Sequence, residues 1–568
     1  MANLYLDLLT TWCDRLVSLQ MYGTGDPRLD GGILCPACKI MHGRADNAIR
    51  PLMLLADRTG DPRYLTAAMR LFDWQANMLC DDGSLYNDPN SEWRGITVFS
   101  AIGLCEALDR YGHLLPPAVR GQWEARLAWM GSWLYETIDE DYPTNINYPV
   151  SNAAAMALLG RKFDRPDYIA RARRLAAYSM AHFTPEGLLW GEGRPREALT
   201  PRGCRPVDIG YNAEESLPAL VLYARESGED GLLTRLTDIL LRQLEFMIPD
   251  GGWDNSFGSR NNKWTYWGSR TSDGCQGAYA VLCDLHPAFA EAALRNTRLL
   301  AACTHDGLLH GGLHYHSHGE PPCVHHTITH ANALAAALEC GAKDGGEGPA
   351  VPLPCDHPAP LRHYPEIDTW KIAVGDWHAT VTGYDFGIDA GHATGGTLTL
   401  LWHRRLGPVI ASSVVDYRLV EPLNMQLPLN RARHRPLTPR VERLSGKRRY
   451  AQCYDTRADI RAEQSPGAVS MQVDASLVDL EQVPADPPAT CRLSYRFTAN
   501  SVEILGKMEG RFDDAVFVLP IIAEGAIVES PNAEPDPAHI FFLTGGFGAR
   551  EVRIRPDPDG CFEVRIRA

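Results

Sequence analysis

The loop over residues 251–274 holds the densest group of side chains that could bind a sugar. It is rich in glycine and asparagine, and the residues in it that could contact a ligand are Asp254, Arg260, Trp264, Tyr266 and Arg270. Trp and Tyr rings stack on sugar rings, and an Arg guanidinium binds a carboxylate through two parallel hydrogen bonds. We predict that this loop lines a binding site; the alternative is that its tryptophans only cover the end of a helix.

A second segment, residues 303–330, is rich in histidine. Its eight histidines are His305, His310, His314, His316, His318, His325, His326 and His330. Because His326 and His330 are four residues apart, they lie on one face of a helix. Imidazole transfers protons near neutral pH, so we predict that His326 is catalytic and that His330 binds the ligand. Metal binding and purely structural histidines are the alternatives.

Two helix starts carry further candidates. Residues 144–152 contain Asn147 and Asn152, which could donate hydrogen bonds to a carboxylate, and residues 207–215 contain Asp208, Tyr211 and Glu214. Tyr211 follows an arginine-rich loop and begins a helix, and both features favour its phenolate form. We predict that Tyr211, Asn147 and Asn152 are catalytic and that Asp208 and Glu214 bind substrate, with ordinary helix capping as the alternative.

The segment over residues 35–46 contains a Cys-x-x-Cys motif followed by a histidine and an arginine. Cys35, Cys38 and His42 could bind zinc, but a structural zinc site needs four ligands and the sequence has no second motif of this kind. We therefore expect that no cofactor or metal is required for the reaction, and zinc at Cys35, Cys38 and His42 stays an alternative. His42 and Arg44 are predicted to line the cleft and contact substrate.

Helical periodicity over residues 1–342 indicates how these segments are positioned. The predicted helices span 2–20, 44–59, 62–79, 95–112, 116–137, 149–160, 164–183, 212–227, 230–247, 274–284, 287–302 and 325–341. Short connections alternate with long ones that carry the candidate residues, which predicts six helical hairpins in a closed (α/α)6 toroid with its site on one face. An open helical solenoid is the alternative.

After residue 342 the pattern changes. Residues 343–360 are rich in Gly and Pro and predict a linker, and residues 361–568 show the period-two alternation of strands. The predicted architecture is therefore α+β and multidomain: a helical toroid over 1–342, the linker, and an antiparallel β-sandwich over 361–568.

Composition limits the partners. The formal net charge of -15 excludes nucleic acid as a main partner, because a phosphate backbone would be repelled. No apolar run is long enough to predict a membrane span, and the start of the chain lacks the pattern of a secretion signal. With 15 scattered cysteines, we expect a cytoplasmic protein with mostly free thiols; a homo-oligomer is left open.

Together these segments resemble the heparinase II/III-like and alginate-lyase-like polysaccharide lyases, in which a toroid precedes a β-sandwich. The Asn147–Asn152 segment resembles the asparagine segment with which such lyases neutralise a uronate carboxylate. The Asp208–Glu214 segment resembles their Asp-Gly-x-Tyr-x-Glu segment, whose Tyr acts as base or acid. The Asn-His pair of these lyases is absent after Asn147, and the sandwich motif is only loosely matched by residues 391–396.

The resemblance implies a lyase that cleaves an acidic oligosaccharide or polysaccharide containing uronic acid by β-elimination. Two alternatives stay open at this point. A glycoside hydrolase of the glucuronidase or unsaturated glucuronyl hydrolase type would use two carboxyl groups about 5–10 Å apart, and the toroid is shared with such enzymes. The candidate carboxyl groups are Glu192, Asp208, Glu214, Glu215 and Asp254, and no spacing singles out a pair. A non-catalytic glycan-binding protein would need only the aromatic loops.

Overall fold

The structure, a computed structural model, describes residues 3–264, 274–342, 350–387, 391–412, 415, 435–542 and 547–568. The α-helices of its first part are α1 Leu4–Leu19, α2 Ile49–Thr59, α3 Pro62–Gln75, α4 Thr97–Tyr111, α5 Pro117–Thr137, α6 Asn147–Lys162, α7 Pro166–Ala181, α8 Ile209–Tyr211, α9 Leu217–Ser227, α10 Asp230–Gln243, α11 Pro287–Ala302 and α12 Val324–Glu339. In this described part, no helix combines the length and the apolar character that crossing a membrane requires.

Local sequence sets several helix ends. Asp61 accepts a hydrogen bond from the backbone N–H of Arg63 at 2.9 Å, and Pro62 occupies the first position of α3. Gly60 ends α2 in the left-handed conformation, at φ +70°. Pro166 and Pro287 begin α7 and α11 in the same way as Pro62.

The helices close into a ring of hairpins. Helix α2 packs on α3, α6 packs on α7, and the inner helices α2, α4, α6 and α9 pack on their neighbours in turn. Every residue from Asn147 to Gly160 of α6 is buried, as expected for an inner helix. Because α1 and α2 also pack against α12, the first and last hairpins meet, which agrees with the predicted toroid.

The prediction of a helix over residues 274–284 is wrong. Cys275–Gly277 forms a short 3-10 turn, and the residues after it form further turns. Gln276 is fully buried and donates hydrogen bonds to the side chains of Asn296 and Thr297, both at 2.9 Å. These tertiary hydrogen bonds fix the segment in its turn conformation, so it does not form a regular helix.

The second part is antiparallel throughout but contains three sheets, not the two of a simple sandwich. A hairpin within the helical part comes first, β1 Thr304–His305 and β2 Leu308–Leu309, and the later strands are β3 Leu361–Tyr364, β4 Thr369–Val374, β5 Trp377–Thr382, β6 Thr397–His403, β7 Gly407–Ala411, β8 Arg440–Ser445, β9 Arg448–Ala451, β10 Asp459–Ser465, β11 Ala468–Ser476, β12 Ala489–Thr498, β13 Val502–Gly510, β14 Val516–Ile521, β15 Ile527–Glu529, β16 Ala538–Phe542, β17 Phe547–Ile554 and β18 Cys561–Arg567. The strand orders are β3-β4-β5-β6-β7, β10-β11-β12-β13-β18-β15 and β16-β17-β14-β8-β9.

The first of these sheets packs on the toroid. Tyr364, Tyr384, Leu400 and Trp402 belong to the same apolar core as the helices, while the inner faces of the three sheets share a second core. Helix α12 ends at Glu339 and β3 begins at Leu361, so the change of secondary structure falls across the predicted linker. The exact division into domains stays a prediction.

Candidate active site

Tyr211 lies at the centre of a buried polar group inside the toroid. It ends α8, and the chain continues as one π-helical turn over Asn212–Ser216, a departure from α-helix that is frequent at functional sites. The Lys263 ammonium donates to the Tyr211 hydroxyl at 3.1 Å, and the Arg260 guanidinium lies 4.3 Å from the centre of the Tyr211 ring. Two cations therefore lie directly against the Tyr211 side chain.

Asp208 positions Tyr211 and the 251–264 loop together. One of its carboxylate oxygens accepts from the backbone N–H of Tyr211 at 2.9 Å. The other accepts from the Asn255 amide and from the backbone N–H of Arg260, both at 2.9 Å. Asp208 was predicted to bind substrate, but the structure gives both of its oxygens partners within the protein.

Asn147, at the start of α6, joins two buried carboxyl groups to this centre. Its side-chain amide donates to Glu215 at 2.6 Å, and its backbone N–H donates to Glu192 at 3.2 Å. Burial raises the pKa of Glu192 to about 8, although the nearby Arg260 opposes the shift. Burial also raises the pKa of Glu215, and Arg44 is the largest opposing influence.

Arg44 and the start of α12 form the opposite side of the group. The Arg44 guanidinium lies 3.5 Å from the Nε2 atom of His325, and the rings of His325 and His42 are 5.4 Å apart. Burial, followed by the charges of Arg44 and His42, holds the pKa of His325 well below its usual range. His326, the predicted catalytic histidine, is buried beside His325, with 6.4 Å between their ring centres.

Basic and acidic side chains are interleaved around Tyr211. Within the part of the chain that the structure describes, the cations of this group are Arg44, Arg260 and Lys263. Opposite them stand Asp208, Glu215 and Glu192, and Glu192 is mostly protonated at neutral pH because its pKa is about 8. Arg44, Arg260 and Lys263 are therefore positioned to bind an anionic group such as a carboxylate, in particular while Glu192 is neutral.

An aromatic wall borders the site next to Asn147. The Trp93 indole N–H donates to the Tyr148 hydroxyl at 3.1 Å, and the ring of Tyr142 lies 6.0 Å from that of Trp93. Both Trp93 and Tyr142 are half-buried, so part of each ring faces solvent. Such rings can stack on a sugar.

Several predicted residues have other contacts. Asn152 donates to the backbone carbonyls of Leu134 and Ile138, at 3.3 and 2.7 Å, and so holds the end of α5 instead of reaching toward Tyr211. Trp264 is buried, with its indole N–H donating to the backbone carbonyl of Trp253 at 2.7 Å, so it is not a stacking surface for a sugar. The predicted roles of Asn152 and Trp264 are therefore corrected.

The substrate-binding role predicted for Asp254 is also corrected, because its side chain joins the toroid to the first sheet. One of its oxygens accepts from Lys371 at 2.7 Å and from Thr380 at 2.5 Å, and the other accepts from Ser256 at 2.8 Å. Its side chain is fully buried, and both of its oxygens have partners within the protein.

Glu214 and His330, which were predicted to bind substrate, are enclosed by the protein. The charge of Glu214 contributes to the raised pKa of Cys275, and the Nδ1 atom of His330 lies 2.8 Å from the backbone carbonyl of His326. Both are fully buried, and burial lowers the pKa of His330 to about 4. Tyr266 and Arg270 lie outside the described residues.

The histidines of the histidine-rich segment do not form one cluster, because their rings contact different parts of the protein. The rings of His305 and His316 stack at 4.2 Å, and His318 stacks on His539 of the third sheet at 5.9 Å. Sequence analysis named Glu192 and Glu215 only as carboxyl groups for the hydrolase alternative and His325 only as one of eight histidines, and it gave no role to Lys263 or Trp93. Lys263 belongs to the loop already singled out, whereas Trp93 had no comparable signal around it.

Both parts of the chain match families of known proteins. The model of the ulvan lyase N-terminal domain matches residues 9–355, and that of the ulvan lyase C-terminal domain matches residues 361–534. The broad-specificity ulvan lyase of Formosa agariphila is 36% identical over 533 residues, covering 91% of this chain and 82% of that protein.

Two solved structures share the fold at low identity. The chondroitin AC lyase of Streptomyces coelicolor, in complex with chondroitin sulphate, has a TM-score of 0.56 at 13% identity, covering 99% of this chain and 79% of that one. Heparinase III has a TM-score of 0.51 at 9% identity, covering 91% and 75%. The predicted resemblance to polysaccharide lyases of the heparinase type is confirmed.

Proposed function

The chain belongs to the ulvan lyase family and is therefore a polysaccharide lyase that cleaves a uronic-acid-containing glycan, and on this premise we propose that its substrate is ulvan. The relative at 36% identity, named as a broad-specificity ulvan lyase, supports this choice of substrate. The cations around Tyr211 suit the carboxylate of the uronic acid in such a glycan, so they support the reaction class, whereas the choice of ulvan rests on the relative.

The reaction makes three demands on the site. A base removes the proton at C5 of the uronate, the electron pair of that C–H bond forms the C4–C5 double bond, and the C4–O bond breaks. The leaving oxygen takes up a proton. Removal of the C5 proton is slow until the neighbouring carboxylate is neutralised, because the developing enolate carries additional negative charge.

We infer that Tyr211 is the base. The observation that carries this role is its hydroxyl, 3.1 Å from the Lys263 ammonium, with the Arg260 guanidinium against its ring. The same cations lie where they can also neutralise a carboxylate bound beside Tyr211. Asn147 and Arg44, which both surround Glu215, are proposed to hold that carboxylate by hydrogen bonds.

His326 is proposed to donate the proton to the leaving oxygen, and His326→Ala tests this role. We expect the variant to lose about 100-fold or more of kcat, which is typical of a missing general acid. Steady-state kinetics should be compared with His286→Ala, because His286 caps α11 and is not part of this group. Equal kcat values for the two variants would contradict the role.

A cleft with a volume of about 1260 Å³ lies on the His42 side of the toroid, and Met41, Tyr86, Asp88 and Trp74 line it. Met41 immediately precedes His42, and Asp88 lies near enough to His42 for their charges to interact, so the cleft borders the residues around His42. We propose that successive sugars of the substrate run along this cleft.

The experiment is a comparison of polymers. The purified protein is incubated separately with ulvan, heparan sulfate, chondroitin sulfate and alginate, and ultraviolet absorbance of an unsaturated uronate is followed. We expect absorbance to rise with ulvan at the highest initial rate. A rise with another polymer and none with ulvan would overturn the proposed substrate, and new reducing ends without absorbance would overturn the elimination mechanism.

A further inference from the structure

The Cys-x-x-Cys segment folds as a tight hairpin. Leu34 and Met41 form an antiparallel bridge, and the backbone N–H of Cys35 donates to the carbonyl of Ile40 at 3.0 Å. Lys39 turns the chain with φ at +58°, and its N–H donates to the carbonyl of Cys35 at 2.9 Å. The backbone N–H of Cys38 also donates to the sulfur of Cys35, so the turn points this sulfur toward Cys38.

A third cysteine, Cys323, contacts this hairpin although it lies 288 residues further along the chain. Cys323 immediately precedes α12, and its sulfur lies 3.8 Å from that of Cys35 and also contacts Cys38. Two thiolates bound to one zinc at about 2.3 Å each, in tetrahedral geometry, are separated by about 3.8 Å. A disulfide would require about 2.05 Å.

His42 provides the fourth position. One of its ring nitrogens and the sulfurs of Cys35 and Cys38 all lie within 4.8 Å of one another. Cys323 is not in this group of three, and its place in the site rests on its contacts with the two sulfurs. The side chain is only 4% exposed, and among the described residues neither ring nitrogen has a hydrogen-bond partner. A buried imidazole without partners is costly unless something binds it, and a metal ion would do so.

We propose that Cys35, Cys38, Cys323 and His42 form a structural zinc site. Three thiolates and one imidazole are a usual ligand set for a closed, tetrahedral zinc ion, and they leave no open position for substrate. The site therefore does not take part in the elimination as a Lewis acid. The proposal also replaces the predicted contact between His42 and substrate.

The ion would join the two ends of the ring. Its hairpin follows α1, whereas Cys323 begins α12, so binding would tie the first hairpin of the toroid to the last helix. Arg44 follows His42 by two residues, and His325 follows Cys323 by two, so the same ion would fix both sides of the Arg44–His325 contact. Metal binding stabilises a fold in this way because the unfolded chain has no preformed site.

The first test measures metal in the purified full-length protein. We expect about one zinc per chain by elemental mass spectrometry, and a lower midpoint of thermal unfolding once a strong chelator has removed it. After exchange, cobalt should give a thiolate-to-metal charge-transfer band. Less than about 0.1 zinc per chain after incubation with zinc chloride, with no cobalt band, would overturn the site.

Variants separate this site from adventitious binding. Cys323→Ser and His42→Gln should each weaken zinc affinity by more than the roughly 10- to 100-fold caused by losing an outer-shell partner. Cys80→Ser, a thiol outside the cluster, should retain wild-type zinc content. If the cysteine variant does not fold, peptide mapping of the wild-type protein decides: thiols protected from alkylation until zinc is chelated support the site, and a disulfide at Cys35 overturns it.

Discussion

At the scale of single residues, Tyr211 depends on its two cationic neighbours. Tyr211→Phe removes the hydroxyl that Lys263 contacts and leaves the ring beneath Arg260 in place. We expect kcat to fall by about 100- to 10,000-fold with little change in KM, because a group needed only in the transition state is lost. Steady-state kinetics and a thermal unfolding midpoint measure the two effects.

The control for this variant is Tyr64→Phe. Tyr64 lies on the outer helix α3, where its hydroxyl donates to Asp14 at 2.8 Å. The Tyr64→Phe variant should keep wild-type kcat and KM. If Tyr211→Phe also kept full activity while Glu215→Gln or Glu192→Gln abolished it, carboxyl groups and not the tyrosine would carry the chemistry.

Glu192 gives the enzyme a predictable response to pH. Its pKa is about 8, so the side chain is neutral below that pH and gains a negative charge above it. As pH rises through about 8, this charge opposes binding of a uronate carboxylate, and KM should increase. Glu192→Gln stays neutral and can still accept from the Asn147 N–H, so its KM should rise much less.

The measurement is KM for the substrate between pH 6 and 9.5 in wild type, in Glu192→Gln and in the exposed control Glu136→Gln. Only the difference between the first two isolates Glu192, since other groups of the site also titrate at alkaline pH. A parallel rise in both proteins would exclude Glu192 as its cause.

At the scale of elements, sequence analysis located the helices better than it located what their connecting loops contact. The 3.6-residue periodicity and signals such as Asp61-Pro62 predicted most helices within a few residues. The 251–264 loop was selected because its composition exceeds what a connection needs, and the structure places two of its cations against Tyr211. Which of its side chains face the site could not be predicted. Lys263 does, whereas Trp264 donates to the backbone carbonyl of Trp253 and Asp254 faces the first sheet.

The reason is that loop side chains are oriented by partners far away in sequence. Lys371 and Thr380 bind Asp254 from more than a hundred residues away, and the contact between Arg44 and His325 spans 281 positions. No periodicity within a single segment encodes such pairs. The same limit hid Cys323 as a partner of Cys35.

Asp254 provides a test at this scale. Asp254→Ala removes the carboxylate that pairs with Lys371 and accepts from Thr380 and Ser256. We expect the free energy of unfolding to fall by about 3 kcal/mol, because a half-buried cation and two hydroxyls lose their partner. Urea unfolding measures the loss, and KM of the folded fraction should stay unchanged.

Asp376→Ala is the matched control, since Asp376 also pairs with an arginine, Arg404, but at the surface. It should change stability far less. A large increase in KM for Asp254→Ala, without loss of stability, would restore the substrate-binding role that the sequence predicted for it.

At the scale of the whole molecule, the helical and β parts are joined by ion pairs as well as by a shared core. Arg362 pairs with Glu245 and Glu186, and Arg202 pairs with Asp368. The hydroxyl of Tyr384 donates to the backbone carbonyl of Arg205 at 2.7 Å. The last contact holds the segment that leads into Asp208 and Tyr211, so the first sheet supports the site although it supplies none of the proposed catalytic groups.

We therefore expect the full chain to unfold in one cooperative transition, even though the sequence predicts separate domains. Removing the sheets would expose the toroid surface that packs on Tyr364, Leu400 and Trp402, which is apolar and costly to hydrate. Calorimetry should give one peak whose calorimetric and van't Hoff enthalpies agree. A fragment of residues 1–342 should aggregate or lack the near-ultraviolet circular dichroism of a packed core. Two resolved peaks, or a fragment that is soluble, rigid and active, would mean that the toroid folds independently and that the sheets only accompany it.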